Sequence, residues 1–305
     1  MLRHKADRKT VVYMVLTTAV FFYLWNSENL NPFGWAALYV IHLGFAVSAS
    51  VIAHNHNHVN MWKSKFMNVF QDNWTTIFYG FPVWAWIPTH NRNHHRHVNT
   101  EPDYTRTWRF TESNNIATLL SYPSISGRFQ MPALKQYLKN QYQNHRGNFW
   151  LCILQIVTLV VWVAGGLILD WKKAILYIIL PQQLSTFAVL IFNYVQHIHA
   201  DELSEFNHSR NFLGKFLNFH LLNNGYHTAH HMKASTHWSE LPAEHAKIHD
   251  KIDPRLNEKS FWGYIFRVYI LGAISPKYST YNFRMARKSN RNSNDSMKAE
   301  SELAV

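Results

Sequence analysis

The sequence is poor in cysteine, in glycine-rich segments and in acidic residues. Its 305 residues include one cysteine, Cys152, which lies in an apolar run, so a disulfide framework and a thiolate metal site are both excluded. The sequence contains no glycine-rich nucleotide loop, no flavin or nicotinamide motif, no fused cytochrome b5-like segment and no internal repeat. The first apolar run is followed by residues 25–28, WNSE, rather than by a small-residue cleavage site, so we expect a retained anchor rather than a signal peptide.

Basic residues outnumber acidic ones, 30 to 18, and the formal net charge is +12. Such a balance favours nucleic acid or an anionic membrane surface as a partner, and the position of the charge decides between them. The mean hydropathy of -0.23 is low for a membrane protein, but it averages very apolar runs with very polar segments. The class of protein therefore has to be read from the runs themselves.

Four apolar runs approach the length of roughly 20 residues with which a helix crosses a bilayer. They occur as two pairs, residues 11–25 with 33–53, and residues 149–169 with 174–195. A short polar link joins the two runs of each pair. The sequence therefore predicts an all-α, multi-pass integral membrane protein with about four transmembrane helices in two hairpins.

The basic residues predict how these helices are oriented. They precede the first run, fill the long segment between the second and third runs, and recur after the fourth, whereas residues 26–32 carry none. We therefore expect both termini and the long middle segment on the cytoplasmic side, where the charge would face lipid headgroups. No recognition-helix or zinc-finger pattern supports nucleic acid as an alternative partner.

Residues 1–276 are expected to form a single membrane domain, and two shorter segments belong to it. Residues 74–88 and 261–274 are rich in aromatic residues and are predicted to form interfacial or half-buried helices. Residues 277–305 are basic, polar and rich in serine and asparagine, so this tail is expected to be disordered.

Histidine is the most informative residue type, since its 20 copies outnumber the 18 acidic residues. Three clusters have the spacing of one helical face: His54 with His58, His90 with His94 and the adjacent His95, and His227 with His230 and His231. A fourth position follows the last apolar run, where His197 and His199 are the candidates. All four fall on the predicted cytoplasmic side, although that topology was inferred without them.

Imidazole ligands suit Zn, Cu, Fe or Ni, so residue type alone leaves the metal open. A zinc site takes about four ligands, and the number of candidate histidines exceeds one such site, so two metals are expected. Nearby acids are candidates to orient the ring N–H groups, among them Asp103 and Asp201. Asp201 is favoured because it follows His197 by four residues.

Together these clusters resemble the three histidine boxes of the membrane fatty acid desaturase and hydroxylase superfamily. They fit its patterns H-x3-4-H, H-x2-3-H-H and H-x2-H-H in that order, and the resemblance runs from about Phe33 to Pro242. Two details are similar to the alkane monooxygenase branch. One is the segment 90–95, HNRNHH, and the other is the segment 193–197, NYVQH, in which Gln196 replaces the acidic residue of that branch's N-Y-x-E-H.

This resemblance implies a bundle of membrane helices capped by a helical cytoplasmic domain that holds two irons. It implies O2 as co-substrate, a lipid or fatty acyl chain as substrate, and a separate electron donor of the ferredoxin or cytochrome type. The implied iron ligands are His54, His58, His90, His94, His95, His197, His227, His230 and His231. Asn193 and Asp201 are expected beside them.

The leading interpretation is a desaturase that introduces a double bond into a fatty acyl chain. Hydroxylation of an alkane or fatty acyl chain and alkene-forming decarboxylation of a fatty acid are alternatives within the same class. A membrane zinc hydrolase would have one zinc with about three ligands, and a metal transporter would place its ligands near the middle of membrane helices. Paired histidines at helix ends disfavour both.

Overall fold

The computed structural model describes residues 1–291 and residue 293, and most of them are helical, as the all-α prediction requires. The α-helices are α1 (Arg8–Asn26), α2 (Pro32–His58), α3 (Lys65–Tyr79), α4 (His95–His97), α5 (Ile116–Asn144), α6 (Arg146–Ala174), α7 (Leu180–His197), α8 (Lys215–His220), α9 (His227–Met232), α10 (Leu241–Ile248), α11 (Phe261–Ile265) and α12 (Gly272–Ile274). π-helices occupy Ile87–His94, Ile175–Ile179 and Phe266–Leu271. Short 3-10 helices occupy Lys5–Asp7, Val83–Ala85, His249–Lys251, Pro254–Leu256 and Pro276–Tyr278. Strands β1 (Asn211–Phe212) and β2 (Asn257–Glu258) pair in parallel, with Asn211 opposite Asn257.

Two stretches of the described residues are long and apolar enough to cross a bilayer, Pro32–His58 and Arg146–His197. The second stretch is broken at Asp170, whose backbone is extended with φ of -160° and ψ of 100°. The Asp170 carboxylate accepts from the backbone N–H groups of Lys172 and Lys173, each at 3.0 Å, and so caps the start of the next helical segment. This break separates the third and fourth apolar runs of the sequence.

The first apolar run, residues 11–25, lies within α1, which has 19 residues. This helix packs against α2, and α2 also contacts α3 and α7. The C-terminal part of α2, from Ala46 to His56, is largely buried among them. The centre of the fold is therefore the end of α2 at which the first histidine cluster lies.

Residues 74–88 do not form the single helix predicted for them. Helix α3 ends at Tyr79, and Gly80 takes a left-handed conformation with φ of 84°. A Cβ atom on Gly80 would lie 2.4 Å from Cβ of Gln182, so both the backbone angle and the close packing require glycine. Beyond the turn, Asn57 at the end of α2 donates to the carbonyl of Val83 at 3.1 Å, which holds the next segment beside the first histidine cluster.

The start of the basic tail is ordered, which corrects the expectation of disorder for that part of residues 277–305. Residues 283–291 are helical. Arg284 and Arg287 of this helix pair with carboxylates of an earlier part of the chain, those of Glu112, Asp201 and Glu202. Ion pairs hold the segment, and Phe283 also packs against the buried cluster of Ala200, Ile252 and Leu256. Residues 292 and 294–305 lie outside the described residues.

Candidate metal centre

Nine histidine side chains converge in two adjoining groups. The first group contains His54, His58, His90, His95 and His230, and the second contains His94, His197, His227 and His231. Within each group the candidate ligand atoms all lie within 4.8 Å of one another. The structure thus brings together the nine histidines that the sequence indicated, from four separate parts of the chain.

The C-terminal end of α2 supplies two members of the first group. His54 and His58 are one helical turn apart, and their ring centroids are separated by 4.8 Å. His56 points to the other side of the helix, where its Nδ1 accepts from the backbone N–H of Met61 at 3.1 Å. His56 is therefore outside the centre, as its position on the helix predicts.

A π-helix determines how the second cluster divides. An α-helical spacing would pair His90 with His94, but the N–H of His95 donates to the carbonyl of His90, five residues earlier. The wider turn brings His90 and His95 into one group, with their Nε2 atoms 3.1 Å apart, and leaves His94 in the other group. His90 and His94 still lie side by side, with ring centroids 5.2 Å apart, but they belong to different groups.

Adjacent histidines of the third cluster also enter different groups. His230 and His231 are neighbours in α9, and consecutive residues of a helix point about 100° apart. His231 joins His227, one turn earlier, with 3.1 Å between their Nε2 atoms, whereas Nε2 of His230 lies 3.1 Å from Nε2 of His54. The ring centroids of His95 and His231 are 4.4 Å apart, so the two groups adjoin.

The end of α7 supplies the ninth histidine. His197 is completely buried, and its Nε2 lies 2.9 Å from Nε2 of His227. His199 has a φ of 62°, and its ring lies 2.7 Å from both the carbonyl oxygen of Glu112 and the hydroxyl of Thr280. Of the two candidates, His197 is the one that lies in the centre.

Burial favours the neutral form of several imidazole rings of the centre. It lowers the pKa of five of the rings that lie outside the apolar helices, and repulsion from neighbouring rings adds to the effect, for His90, His95, His227, His230 and His231. A neutral ring retains one nitrogen lone pair that is free to bind a metal.

The spacing of the facing nitrogens fits metal ions. The Nε2 pairs that contact each other within the groups are 2.9 to 3.1 Å apart. Ligand atoms that lie 2.0–2.1 Å from a metal are about 3.0 Å apart at right angles and about 3.4 Å apart in a tetrahedron. The Nε2 atoms of His58 and His94 are buried and have no hydrogen-bond partner within the described part of the chain. This set of nitrogens is compatible with a metal site.

Asp103 is the carboxylate that orients a ring of the centre. It is completely buried, and His94 donates from Nδ1 to its Oδ2 at 2.8 Å. The backbone N–H and the hydroxyl of Thr105 both donate to its Oδ1 at 2.7 Å. Burial raises the pKa of Asp103, but the interaction with His94 and the hydrogen bonds from Thr105 outweigh it and hold the pKa below its ordinary value. An ionised Asp103 keeps the ring proton on Nδ1 and leaves Nε2 free for a metal.

Asp201, which the sequence favoured for this role, lies elsewhere. Its carboxylate accepts from Nε of Arg287 at 2.6 Å. Asn193 is closer to the centre but one step removed, because it donates to the hydroxyl of Tyr122 at 2.6 Å, and that hydroxyl donates to the carbonyl of Thr105 at 2.6 Å. Asn193 therefore supports the Asp103 loop rather than a histidine.

Two further rings are held through Nδ1 by groups that the sequence did not single out. His197 donates to the backbone carbonyl of His208 at 3.2 Å, and His54 donates to the side-chain oxygen of Asn55 at 3.1 Å. The partner of His197 is a backbone carbonyl eleven residues away, and residue type does not indicate such a partner. Asn55 is adjacent to His54, and this adjacency is a signal that the sequence contains.

Residues 30–262 match the fatty acid desaturase family, a range that contains all nine histidines. This protein belongs to the fatty acid desaturase family. No curated protein and no solved structure matches the chain. Family membership indicates an oxidoreductase of lipid metabolism, of the desaturase or hydroxylase type, and together with the two apolar stretches it indicates association with a membrane.

An apolar cavity of about 310 Å³ lies beside the histidine groups of this desaturase-family protein. His54, His90 and His227 contribute to its wall. Trp86, also on the wall, packs edge-on against His54 and His90, with ring centroids at 5.3 and 5.0 Å. Apolar residues of α5 and α7 form much of the remainder. A hydrocarbon chain in this cavity would lie against the candidate metal ligands.

Proposed function

We propose that this protein is an O2-dependent membrane enzyme with two irons that desaturates a fatty acyl chain. The observation that carries the proposal is the meeting of two histidine groups, of five and four rings, with an apolar cavity. Family membership supports the same reaction class. The nine histidines of the two groups would be the iron ligands.

Iron is favoured over zinc by the ligand number and spacing. The five imidazoles of the first group exceed the four ligands of a structural zinc site, and both groups exceed the three protein ligands that are typical of a catalytic zinc site. Facing nitrogens 2.9 to 3.1 Å apart match ligands at right angles, as in five- or six-coordinate ions, rather than the corners of a tetrahedron. The same observations disfavour the membrane zinc hydrolase.

The reaction balances as R–CH2–CH2–R′ + O2 + 2 e⁻ + 2 H⁺ → R–CH=CH–R′ + 2 H2O. Two bound irons would supply the O2 chemistry that removes hydrogen from an unactivated C–H bond. The chain's own residues bind the metals, fix the direction of the rings through Asp103, and hold the hydrocarbon in a cavity of low polarity. Because the sequence has no redox-cofactor motif, the electrons would come from a separate ferredoxin- or cytochrome-type protein.

The membrane arrangement belongs to the same proposal. Helices α1, α2 and the two halves of Arg146–His197 would cross the bilayer as two hairpins, with both termini and the metal centre on the cytoplasmic side. The asymmetric distribution of lysine and arginine supports this orientation. The basic surface would then face anionic lipid headgroups or an acidic electron donor, and nucleic acid is not an expected partner.

Oxygen insertion is the second candidate, because the segment NYVQH that ends in His197 is similar to the alkane monooxygenase branch and His197 lies in the centre. The same site could also support an alkene-forming decarboxylation. These reactions differ in which carbon faces the metals, so they are separated by the product rather than by the ligand set.

The test is product analysis in membranes of a host that expresses the protein. The membranes are supplied with iron, O2 and a reduced ferredoxin. Mass spectrometry of the lipids should show a chain that has lost two hydrogen atoms, and His94→Ala should abolish this product. A product that has gained one oxygen atom would replace desaturation by hydroxylation, and a terminal alkene one carbon shorter would replace it by decarboxylation. A lipid profile identical to that of the variant would contradict the oxidase proposal.

A further inference from the structure

Arg128 is the one side chain with a formal charge, histidine aside, among the described residues that line the cavity beside the histidines. It lies on α5 and is exposed at the edge of the cavity. No acceptor or aromatic ring of the described residues contacts its guanidinium group. Arg92 and Arg109 nearby differ in this respect, since they lie over the rings of Tyr137 and Phe129 at 5.4 and 3.9 Å.

Ser124 adds a second hydrogen-bond donor at the same edge. It precedes Arg128 by one helical turn, so the two side chains share one face of α5, and both line the cavity. Gly127 lies between them, and a Cβ atom there would meet no other atom within 4 Å. The helix therefore presents a hydroxyl and a guanidinium group beside open space.

An unpaired cation at the edge of an apolar cavity matches one kind of ligand. A hydrocarbon chain that ends in an oxyanion can place its chain against apolar walls, but its charge cannot follow without a large desolvation cost. A guanidinium group offers paired N–H donors that suit carboxylate and phosphate, and such charge-assisted bonds are stronger than neutral ones.

We propose that Arg128 and Ser124 bind the anionic head of the substrate, a carboxylate or a phosphate group, while its chain extends through the cavity toward His54, His90 and His227. The proposal rests on the proposed function for the identity of the chain as substrate. It adds the residue that selects an acid over a neutral hydrocarbon and that sets which carbons reach the metals.

The test measures binding without turnover. The detergent-purified, metal-loaded protein is titrated under anaerobic conditions with decanoic acid, decyl phosphate and decanol, and the dissociation constants are compared for the wild type, Arg128→Gln, Arg128→Lys and Lys135→Gln. Lys135 is the matched control, because it is an exposed cation on α5 that does not line the cavity. Circular dichroism of each variant verifies that the helices are intact.

Arg128→Gln should weaken binding of the anionic ligands about tenfold and leave the affinity for decanol unchanged. Arg128→Lys, which keeps the positive charge, should retain most of the affinity for the anions. The anion that loses more affinity identifies the head group as carboxylate or phosphate. An equal loss for all three ligands, no loss for any, or the same loss in Lys135→Gln would overturn the subsite. Because no O2 is present, the binding result does not depend on turnover. If binding depends on Arg128 but the protein oxidises no chain in the product analysis, the proposed reaction is refuted and the subsite stands.

Discussion

At the scale of single residues, each imidazole of the centre has two nitrogens with different tasks. In His94, Nδ1 donates to Asp103, and the buried Nε2 is left without a hydrogen-bond partner among the described residues. The histidine clusters were readable from the sequence because helical spacing constrains them. The partner of His94 was not readable, since the segment 95–102 that leads to Asp103 has no periodic pattern, and proximity in sequence wrongly favoured Asp201.

Asp103→Asn should weaken metal binding or activity by about 10- to 100-fold, because an amide no longer holds the proton of His94 on Nδ1 as a charged acceptor does. Metal content and turnover of the purified variant measure this. Asp201→Asn is the matched control, since that carboxylate pairs with Arg287, and its metal content should equal that of the wild type. Equal metal loss in both variants would show that Asp103 has no special role.

The metal-free protein should lose stability as the pH falls below about 6.5. Burial lowers the pKa values of five rings below the value near 6.5 of an unfolded chain, for His90, His95, His227, His230 and His231. Below that pH the unfolded state binds more protons, so the free energy of unfolding falls with pH. Circular dichroism melts of chelator-treated protein between about pH 7 and 5 should give a decreasing Tm. A Tm that stays constant or rises on acidification would contradict the assignment.

At the scale of elements, the π-helix Ile87–His94 is the feature that sequence periodicity could not supply. The α-helical period pairs His90 with His94. In the π-helix the backbone hydrogen bond spans five residues, so His90 is grouped with His95, and His94 lies in the other group. By contrast, the α2 pair His54 and His58 follows the ordinary period and was predicted correctly in position. Local spacing was sufficient where the helix is regular and failed where it widens.

Helix α5 forms a wall of the cavity, and Gly127 is the position at which the cavity can be filled without disturbing the protein. A side chain there meets open space, so Gly127→Leu should fold and bind metals normally, but it should lower kcat/KM for a long chain about tenfold or more. Gly147→Leu is the matched control, since it also projects into open space and does not line the cavity. Equal turnover in the two variants would show that the substrate does not use this cavity.

At the scale of the whole molecule, the segment 283–291 ties the C-terminal part of the chain to the loop that carries Asp103. Arg284 is buried, donates to Glu202 at 3.0 Å and lies 3.6 Å from the ring centroid of Trp108. Composition predicted disorder here because the segment has few apolar residues, and the carboxylates that order it lie far earlier in the chain. Such long-range ion pairs cannot be read from the local sequence.

Arg284→Ala should destabilise the protein by about 2–3 kcal/mol, because it leaves buried carboxylate oxygens with fewer charged partners. Lys288→Ala is the control on the same helix. Its ammonium group is exposed and lies 3.8 Å from Glu112, so it should change stability by less than about 1 kcal/mol. Thermal unfolding in detergent compares the two, and equal melting temperatures would show that the segment contributes nothing to the fold.

The central claim is that two histidine groups hold two irons, and the most direct measurement is the metal content of the detergent-purified protein. Elemental analysis should find two irons per chain in the wild type, and fewer in both His230→Ala and His94→Ala, which remove one ligand from the first and the second group respectively. His145→Ala, which changes an exposed histidine outside both groups, should retain the full content. One zinc per chain without iron, or an iron content unaffected by both ligand variants, would contradict the account.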